Sequence, residues 1–385
     1  MNYEEIYREV RKMIVMDIRA DNLYAFKNFH MNMSYPKKIV NSYIPDENLE
    51  GRPNFRYKKI NILMGANASG KTTIGKLMMA IFNFMDKKEF DRVVDVISKK
   101  EEKASFSIDF VVRNHIMYRV VAEISPKSGE KYSSSDIKVC VRQVKINSKD
   151  SYESCVKQIE SLPCVAGGNY IEELEKVKGL SWLFEYPNDL GISYKVHVAK
   201  NVERYTRILN YTLRALDPSI KAVEKLEGVD NAYVIRMENQ ALVIQDGKII
   251  DNQILSSGTK AGVEIAGVLA AILDGGYGFY YCDEKFSYIH SDIEKAFLSV
   301  MIHCLKNDDQ LFFTTHNTDV LDLPLPKHSY LFLKKDSADS VQPLKCISAS
   351  QFLKKNTDSL RNAVDNDLFS AAPSVDLIYE ITELL

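Results

Sequence analysis

The stretch Gly65-Ala66-Asn67-Ala68-Ser69-Gly70-Lys71-Thr72-Thr73 constrains this chain more than any other. It satisfies the spacing glycine, four residues, Gly-Lys-Ser/Thr. Lys59-Ile60-Asn61-Ile62-Leu63-Met64 before it is apolar-rich and of strand length, and Ile74 to Phe82 after it reads as a buried helix. Strand, glycine loop and helix in that order predict a phosphate-binding loop. Gly65 and Gly70 let the backbone curl so that successive N–H groups face one anionic centre, and the helix N-terminus adds its positive end. Lys71 is then placed to reach the β- and γ-phosphates of a nucleoside triphosphate, and the Thr72 hydroxyl to ligate Mg²⁺.

A chain of 385 residues has room for two ordinary domains, or for one large α/β domain with an insertion. A hydrophobic content of 45% with 26% charged residues describes a soluble globular protein. The net charge of −2 announces no global positive field for nucleic acid or an anionic membrane, and leaves room for a local basic patch. The cysteines, at 140, 155, 164, 282, 304 and 346, form no C-x-x-C pair. That spacing argues against a zinc module and a disulfide framework, and fits a reducing compartment. No apolar run approaches the roughly 20 residues that span a bilayer. The start, Met1-Asn2-Tyr3-Glu4-Glu5-Ile6, is acidic and lacks a signal-peptide core, so a cytoplasmic or at most peripheral protein without membrane partners is expected.

Along the chain, residues 3–12 read as a short charged helix, either a local cap or an interaction arm. Ile14–Ala20 and Phe29–Tyr35 alternate like the two strands of a hairpin. Residues 36–56 form a long polar loop, and 86–103 a solvated helix. Ser105–Val112, Ile116–Ile124 and Ile137–Val144 predict three strands of an antiparallel sheet, with Asn114 in a turn. Residues 146–190 lose that rhythm around Pro163, Gly167-Gly168 and Trp182. They read as an inserted subdomain or partner surface, or equally as a surface insertion with no dedicated role. Val202–Ala215 is helical in pattern, and Tyr233–Met237 with Ala241–Ile244 predicts a hairpin.

Four further stretches follow residue 250. Ile254-Leu255-Ser256-Ser257-Gly258-Thr259-Lys260 precedes an apolar helix over Val263–Leu273 and puts serines and a glycine at a helix N-terminus, an anion site by its own dipole. Gly278 to Glu284 is an apolar strand ending in two carboxylates, of the Walker B form. Asp283 would hold Mg²⁺ through water, and Glu284 would polarise an attacking water. Phe286-Ser287-Tyr288-Ile289-His290-Ser291-Asp292 follows as a loop. Gln310 to Asn317 is a strand ending in Thr-Thr-His, where His316 would sit over the γ-phosphate and sense it.

Taken together, these motifs resemble the ABC-type ATPases of the RecF, SMC and OLD group. The nearest likeness is to prokaryotic OLD-like "AAA family ATPase" proteins, many of them linked to phage defence. Asp17 to Asn28 also looks like that group's first strand and loop. The resemblance covers about residues 13–125 and 200–335. It implies an α/β P-loop fold with a mixed central sheet, an antiparallel side sheet and a helical insertion. It implies ATP with Mg²⁺ as cofactors, Lys71, Glu284 and His316 as catalytic residues, and Thr72 and Asp283 as metal ligands. Residues 65–73 would bind the nucleotide. Ser256, Ser257 and Gly258 correspond to a signature that reaches the ATP of a second copy, implying a head-to-tail homodimer or higher assembly, with the loop after Glu284 crossing between copies. Ala68 stands where relatives often carry glycine, a departure that a methyl group tolerates. No glutamine loop can be placed, the 146–190 stretch is too short for SMC arms, and Asp365-Asn366-Asp367 reads as solvated loop, without the strand that a Toprim nuclease would need.

The expected organisation is residues 1–145 and 201–335 as two parts of one ATPase head, 146–200 as an insertion, and 336–385 as a helical tail. Three roles fit: a switch in a defence or sensing system with a separate effector, a RecF-like ATPase that binds DNA, and the ATPase subunit of a transporter.

Overall fold

All residues of Ile60–Met64 (β5), Phe279–Asp283 (β14) and Gln310–Thr314 (β15) are buried. Strands buried on both faces belong inside a sheet covered by helices. In the computed structural model, which describes residues 12–39, 42–127, 129–164, 169–186, 199–250, 255–336, 338–355, 358–370 and 376–384, they do. They lie in a six-stranded central sheet of order β17-β16-β5-β15-β14-β9, with β9 at Trp182–Glu185, β16 at Tyr330–Lys335 and β17 at Leu344–Ser348. All neighbours are parallel except β16 and β17. The loop strand β5, the histidine strand β15 and the carboxylate strand β14 are thus consecutive. Their C-terminal ends, where parallel sheets collect ligands, lie side by side.

A second sheet is antiparallel throughout, in the order β2 (Phe29–Asn32), β1 (Met13–Asp21), β6 (Ala104–Val112), β7 (Ile116–Ile124), β8 (Ile137–Lys145). These are the strands expected from alternation, and Asn114 and His115 turn between β6 and β7 at φ +73° and +57°. Between the two sheets runs α1 (Lys71–Lys87). Its Ile74, Leu77, Met78, Ile81, Phe82 and Phe84 join one apolar cluster with Phe106 and Val120 of the side sheet and Tyr281 and Phe312 of the central one. Each such side chain contributes about 1.5–3 kcal/mol on burial, so packing, far more than helix propensity, holds α1 in place. Gln310 stitches the sheets together: its buried amide accepts from Val15 N–H at 2.9 Å and donates to the Val15 carbonyl at 3.0 Å.

The opposite face of the central sheet is covered by α5 (Ser257–Asp274) and α6 (Ser291–Cys304). The hairpin expected over 233–244 belongs to a third, four-stranded sheet of β10 (Ile220–Lys225), β11 (Ala232–Met237), β12 (Ala241–Gln245) and β13 (Lys248–Ile249). It packs on α4 (Val202–Leu216) and α5.

Several sequence expectations change. Residues 36–56 contain a small hairpin, β3 (Asn48–Leu49) with β4 (Arg52–Arg56). The segment 86–103 is not one solvated helix: α1 ends at Lys87, a single turn follows at Asp91–Val94, and Val93, Val94 and Ile97 are buried among its charges. The stretch 146–190 supplies α2 (Tyr152–Ser161), α3 (Tyr170–Glu175) and the central-sheet edge β9. It is docked by a buried polar cluster. Arg119 grips Asp109 with two 2.6 Å bonds, and the Tyr152 hydroxyl donates to Asp109 at 2.7 Å. Strand β17, in a stretch read as helical tail, completes the central sheet. Cys140 of β8 and Cys164 after α2 form a disulfide, Cα–Cα 5.9 Å, against the expectation of reduced thiols. The fold brings these two positions together across 24 residues of sequence, which spacing alone does not reveal. Cys155, Cys282, Cys304 and Cys346 are free thiols. Residues 3–11, Gly167, Gly168 and Ile254 lie outside the described residues. No helix of the described residues is long and apolar enough to cross a membrane.

Candidate functional site

The loop from Gly65 to Gly70 leaves the end of β5 and enters α1. Gly65 has no room for a side chain: a Cβ there would stand 2.7 Å from Ser69 Oγ and 2.8 Å from the Leu333 carbonyl oxygen. Gly70, at φ +102°, caps the helix in a conformation that favours glycine. Ala68 departs from the expectation of easy tolerance, for its φ of +60° puts the methyl group in the left-handed region at a cost of about 1–2 kcal/mol. Strain of this kind collects at ligand-binding loops.

Lys71 is the centre of the site. Its side chain is 3% exposed, and its ammonium donates to the carbonyls of Gly65 at 2.8 Å and Ala66 at 3.2 Å. It also stands 3.4 Å from Glu284 Oε1 and 3.3 Å from His316 Nδ1. His316 Nε2 lies 2.9 Å from the same Glu284 oxygen. The structure therefore brings together three residues that are 245 positions apart at their extremes. Burial lowers the Lys71 pKa, with Glu284 acting against it. The hydrogen bond from His316 is the largest influence holding Glu284 below the usual carboxylate range, so it is ionised at neutral pH.

Glu284 itself adopts φ +45°, uncommon for a side chain of its size. Thr314, directly across on β15, secures it. The Thr314 hydroxyl accepts from Glu284 N–H at 3.0 Å and donates to Asp283 Oδ1 at 2.6 Å. One threonine thus fixes the Asp283 carboxylate and the Glu284 backbone. Tyr281 makes a comparable link, donating its hydroxyl to the Lys71 carbonyl at 2.8 Å, while its ring packs so closely on Gly75 that a Cβ there would meet it at 2.6 Å. Neither link has a sequence signal of its own, because each depends on which strand lies beside which.

Asp283 is fully buried, and among the described residues its Oδ2 has no hydrogen-bond partner. Burial raises its pKa, against the lowering influence of the Thr314 and Thr72 hydroxyls. An unpaired buried carboxylate oxygen beside a hydroxyl is a costly arrangement that a divalent cation relieves. The residues present fit Mg²⁺, which characteristically takes one or two protein ligands together with phosphate oxygens and water. A folded-state pKa above the unfolded value means that stability falls as pH rises through that range and Asp283 ionises. Asp283→Asn is therefore expected to raise the ligand-free thermal midpoint, by about 0.5–2 kcal/mol in stability, while abolishing Mg²⁺-dependent stabilisation by nucleotide. Calorimetry with and without Mg²⁺ and nucleotide reads both, and a lowered ligand-free midpoint would contradict it.

A cavity of about 400 Å³ opens beside the loop, lined by Gly65, Ala66, Asn67, Thr315 and His316. Its far wall is the C-terminal segment, where Asp365 and Asp367 face it from the end of α7 (Leu360–Asp365). These aspartates are exposed, as expected, yet they stand next to the phosphate loop. Phe369 anchors the segment by stacking on Phe332, centroids 4.0 Å apart.

Ser256, Ser257 and Gly258 lie elsewhere. Ser256 caps α5, accepting from Thr259 N–H at 3.1 Å, and both serines are exposed. Gly258 packs on the loop after Glu284, where a Cβ would stand 3.0 Å from the Tyr288 carbonyl oxygen. No hydrogen bond or ion pair among the described residues joins these three to residues 65–73. The sequence also misses Glu294, which is buried on α6 and grips both neighbours of His316.

No protein-family model matches the chain, and no curated protein does. Among solved structures, the chain is similar to an SMC head bound to the C-terminal winged-helix domain of ScpA, at TM-score 0.49 and 14% identity over 88% of this chain and 99% of that one. It is also similar to the SMC head domain from Thermotoga maritima, at 0.42 and 15% over 87% and 98%. A third is a Pyrococcus furiosus Smc head with an extended coiled coil bound to the C-terminal domain of ScpA, at 0.49 and 12% over 89% and 98%. The architecture is that of a mixed α/β P-loop protein with mixed and antiparallel sheets. Likeness at these scores carries no inference about activity, which has to come from the site.

Proposed function

We propose that this chain is a Mg²⁺-dependent ATPase that works as a switch, with ATP joining two copies head to tail and hydrolysis releasing them. The observation that carries this reading is the convergence of Lys71, Glu284 and His316 within 3.4 Å of one another at the ends of three adjacent strands, with Thr72 and Asp283 beside them. The loop amides of residues 65–73 and Lys71 bind the phosphates, and Thr72 and Asp283 hold Mg²⁺. When bound, that ion would neutralise phosphate charge. Before nucleotide binds, Lys71 and His316 both face Glu284. Phosphate competes for Lys71, which leaves the Glu284 carboxylate free to orient a water for attack, with His316 in reach of the γ-phosphate.

The exposed Ser256-Ser257-Gly258 end of α5, remote from its own loop, supports a shared site. A helix N-terminus binds anions, and this one is available to a second copy. Ser257→Arg is expected to abolish ATP-dependent dimerisation while leaving ATP affinity of the single chain within about threefold, a change below 1 kcal/mol. Mass measurement with and without ATP checks this, and unchanged hydrolysis by the variant would sink the shared site. The organisation we assign keeps residues 1–145 and 201–335 as the body of the head, to whose central sheet 146–200 adds the edge strand β9 and 336–385 adds β17.

Within the ATPase reading, the shortness of the 146–190 stretch and the solvated-loop reading of Asp365-Asn366-Asp367 favour an OLD-like switch in phage defence or a related cytoplasmic sensing system, with the nucleotide state passed to a separate effector. The test is ATP turnover with and without duplex DNA, with mass determined in each nucleotide state. Slow turnover indifferent to DNA, with an ATP-dependent dimer, upholds the switch. DNA-stimulated turnover replaces it with a RecF-like reading.

A further inference from the structure

We infer that Glu294 is a positioning residue for His316, tying the switch histidine to the helix that follows the Walker B loop; this rests on the ATPase reading of the site.

His316 lies just past the end of β15, where the ladder no longer holds the backbone. The last bond to β5 is Thr315 N–H to the Leu63 carbonyl, 3.2 Å. A single carboxylate takes over. The Thr315 hydroxyl donates to Glu294 Oε1 at 2.6 Å, and the Asn317 side-chain amide donates to Oε2 at 2.7 Å. The Thr315 oxygen in turn accepts from Asn317 N–H at 3.0 Å. The residues on both sides of His316 are therefore bound to the two oxygens of one group, which fixes the direction in which the ring projects. Both bonds have the length of charge-assisted contacts. Burying a carboxylate is expensive, and burial does raise the Glu294 pKa, opposed mainly by these two bonds. A hydrophobic residue would fill the space at lower cost but could not bracket the histidine.

The placement of Glu294 gives this bracket a second consequence. It stands in the first turn of α6, directly after the loop 286–290. That loop carries exposed Tyr288, and its Tyr288 carbonyl packs against Gly258 at the signature end of α5. A shift of the loop on contact with a second copy moves the first turn of α6, then Glu294, then the backbone on either side of His316. The line runs from Gly258 to 286–290, from the His290 carbonyl to Glu294 N–H at 3.0 Å, and through Thr315 and Asn317 to the backbone at His316. It stays inside one chain.

The test uses the full chain with Glu294→Ala, Glu294→Gln, His316→Ala and the double variant Glu294→Ala/His316→Ala. Glu294→Ala is expected to lower kcat by about 10- to 100-fold, the cost of a small misplacement, while KM for ATP changes less than about threefold. Glu294→Gln keeps the shape and one acceptor and is expected to recover most of the loss. In the His316→Ala background the Glu294→Ala change should cost nothing further. Additive losses, or a loss confined to KM, overturn the assignment. A second readout does not need hydrolysis: the His316 imidazole resonances should shift in either Glu294 variant, with those of His328 unmoved. Unchanged His316 signals overturn the proposal even in a chain that hydrolyses nothing. Absent wild-type turnover with shifted signals would fault the ATPase reading and leave the bracket standing. If Glu294→Ala does not fold, the Gln variant and its spectrum decide.

Discussion

Glu284→Gln is expected to reduce ATP turnover by about 10²- to 10⁴-fold while ATP still binds and an ATP-bound dimer accumulates. The substitution keeps the shape of the side chain and an acceptor for His316, 2.9 Å away, but removes the charge. Loss of that charge affects two steps in opposite directions. The water that attacks the γ-phosphate loses the carboxylate that orients it. Lys71, at present 3.4 Å from Glu284 Oε1, loses a competitor for the incoming phosphates, so ATP affinity should hold or rise. Rapid turnover by the variant would refute the role of Glu284. The pH profile offers a second check. With its pKa held down chiefly by the His316 hydrogen bond, Glu284 stays ionised to below the usual glutamate range. Turnover attributable to its carboxylate should therefore persist through mildly acidic pH and fall only as pH drops through that depressed pKa. The same sign applies to stability, where the pairing helps above the unfolded-state value and its contribution is lost as Glu284 becomes protonated.

Lys71→Ala should have the largest effect on binding, a loss in ATP affinity of about 100-fold, equivalent to ~3 kcal/mol. The ammonium is buried, so its interactions with phosphate are poorly screened, and it is held ready by two loop carbonyls. Removing it also leaves the Gly65 and Ala66 carbonyls without this donor and withdraws the ammonium beside Glu284. Titration calorimetry with Mg²⁺ and ATP measures the loss. Affinity within about threefold of the wild type would show that the loop amides alone carry binding, and the role given to Lys71 would fail.

The local elements of this site were legible because each follows from short-range rules. Gly65 and Gly70 are demanded by close backbone approach and positive φ, and Asp283 and Glu284 end an apolar strand, so residue type and spacing suffice. The alternating stretches 14–20, 105–112, 116–124 and 137–144 announced the side sheet for the same reason. Where long-range pairing decides, the sequence was silent. Trp182–Glu185 is four residues long and ambiguous until β14 lies beside it, and Leu344–Ser348 becomes a strand only by pairing with β16. Val93, Val94 and Ile97 hide among lysines and aspartates, so charge density concealed a buried turn.

By itself, then, the sequence determined the chemistry on offer: a phosphate loop, two terminal carboxylates, a histidine after a strand and a serine-glycine helix start. The tertiary structure decided their mutual geometry. Only the order β5-β15-β14 puts Lys71, His316 and Glu284 within hydrogen-bonding reach, lets Thr314 hold the Asp283 carboxylate and the Glu284 backbone, and sends Glu294 from α6 to either side of His316. Strand order is set by burial of whole faces across hundreds of residues. No local pattern encodes it, which is why candidate site residues can be named from the chain but their contacts cannot.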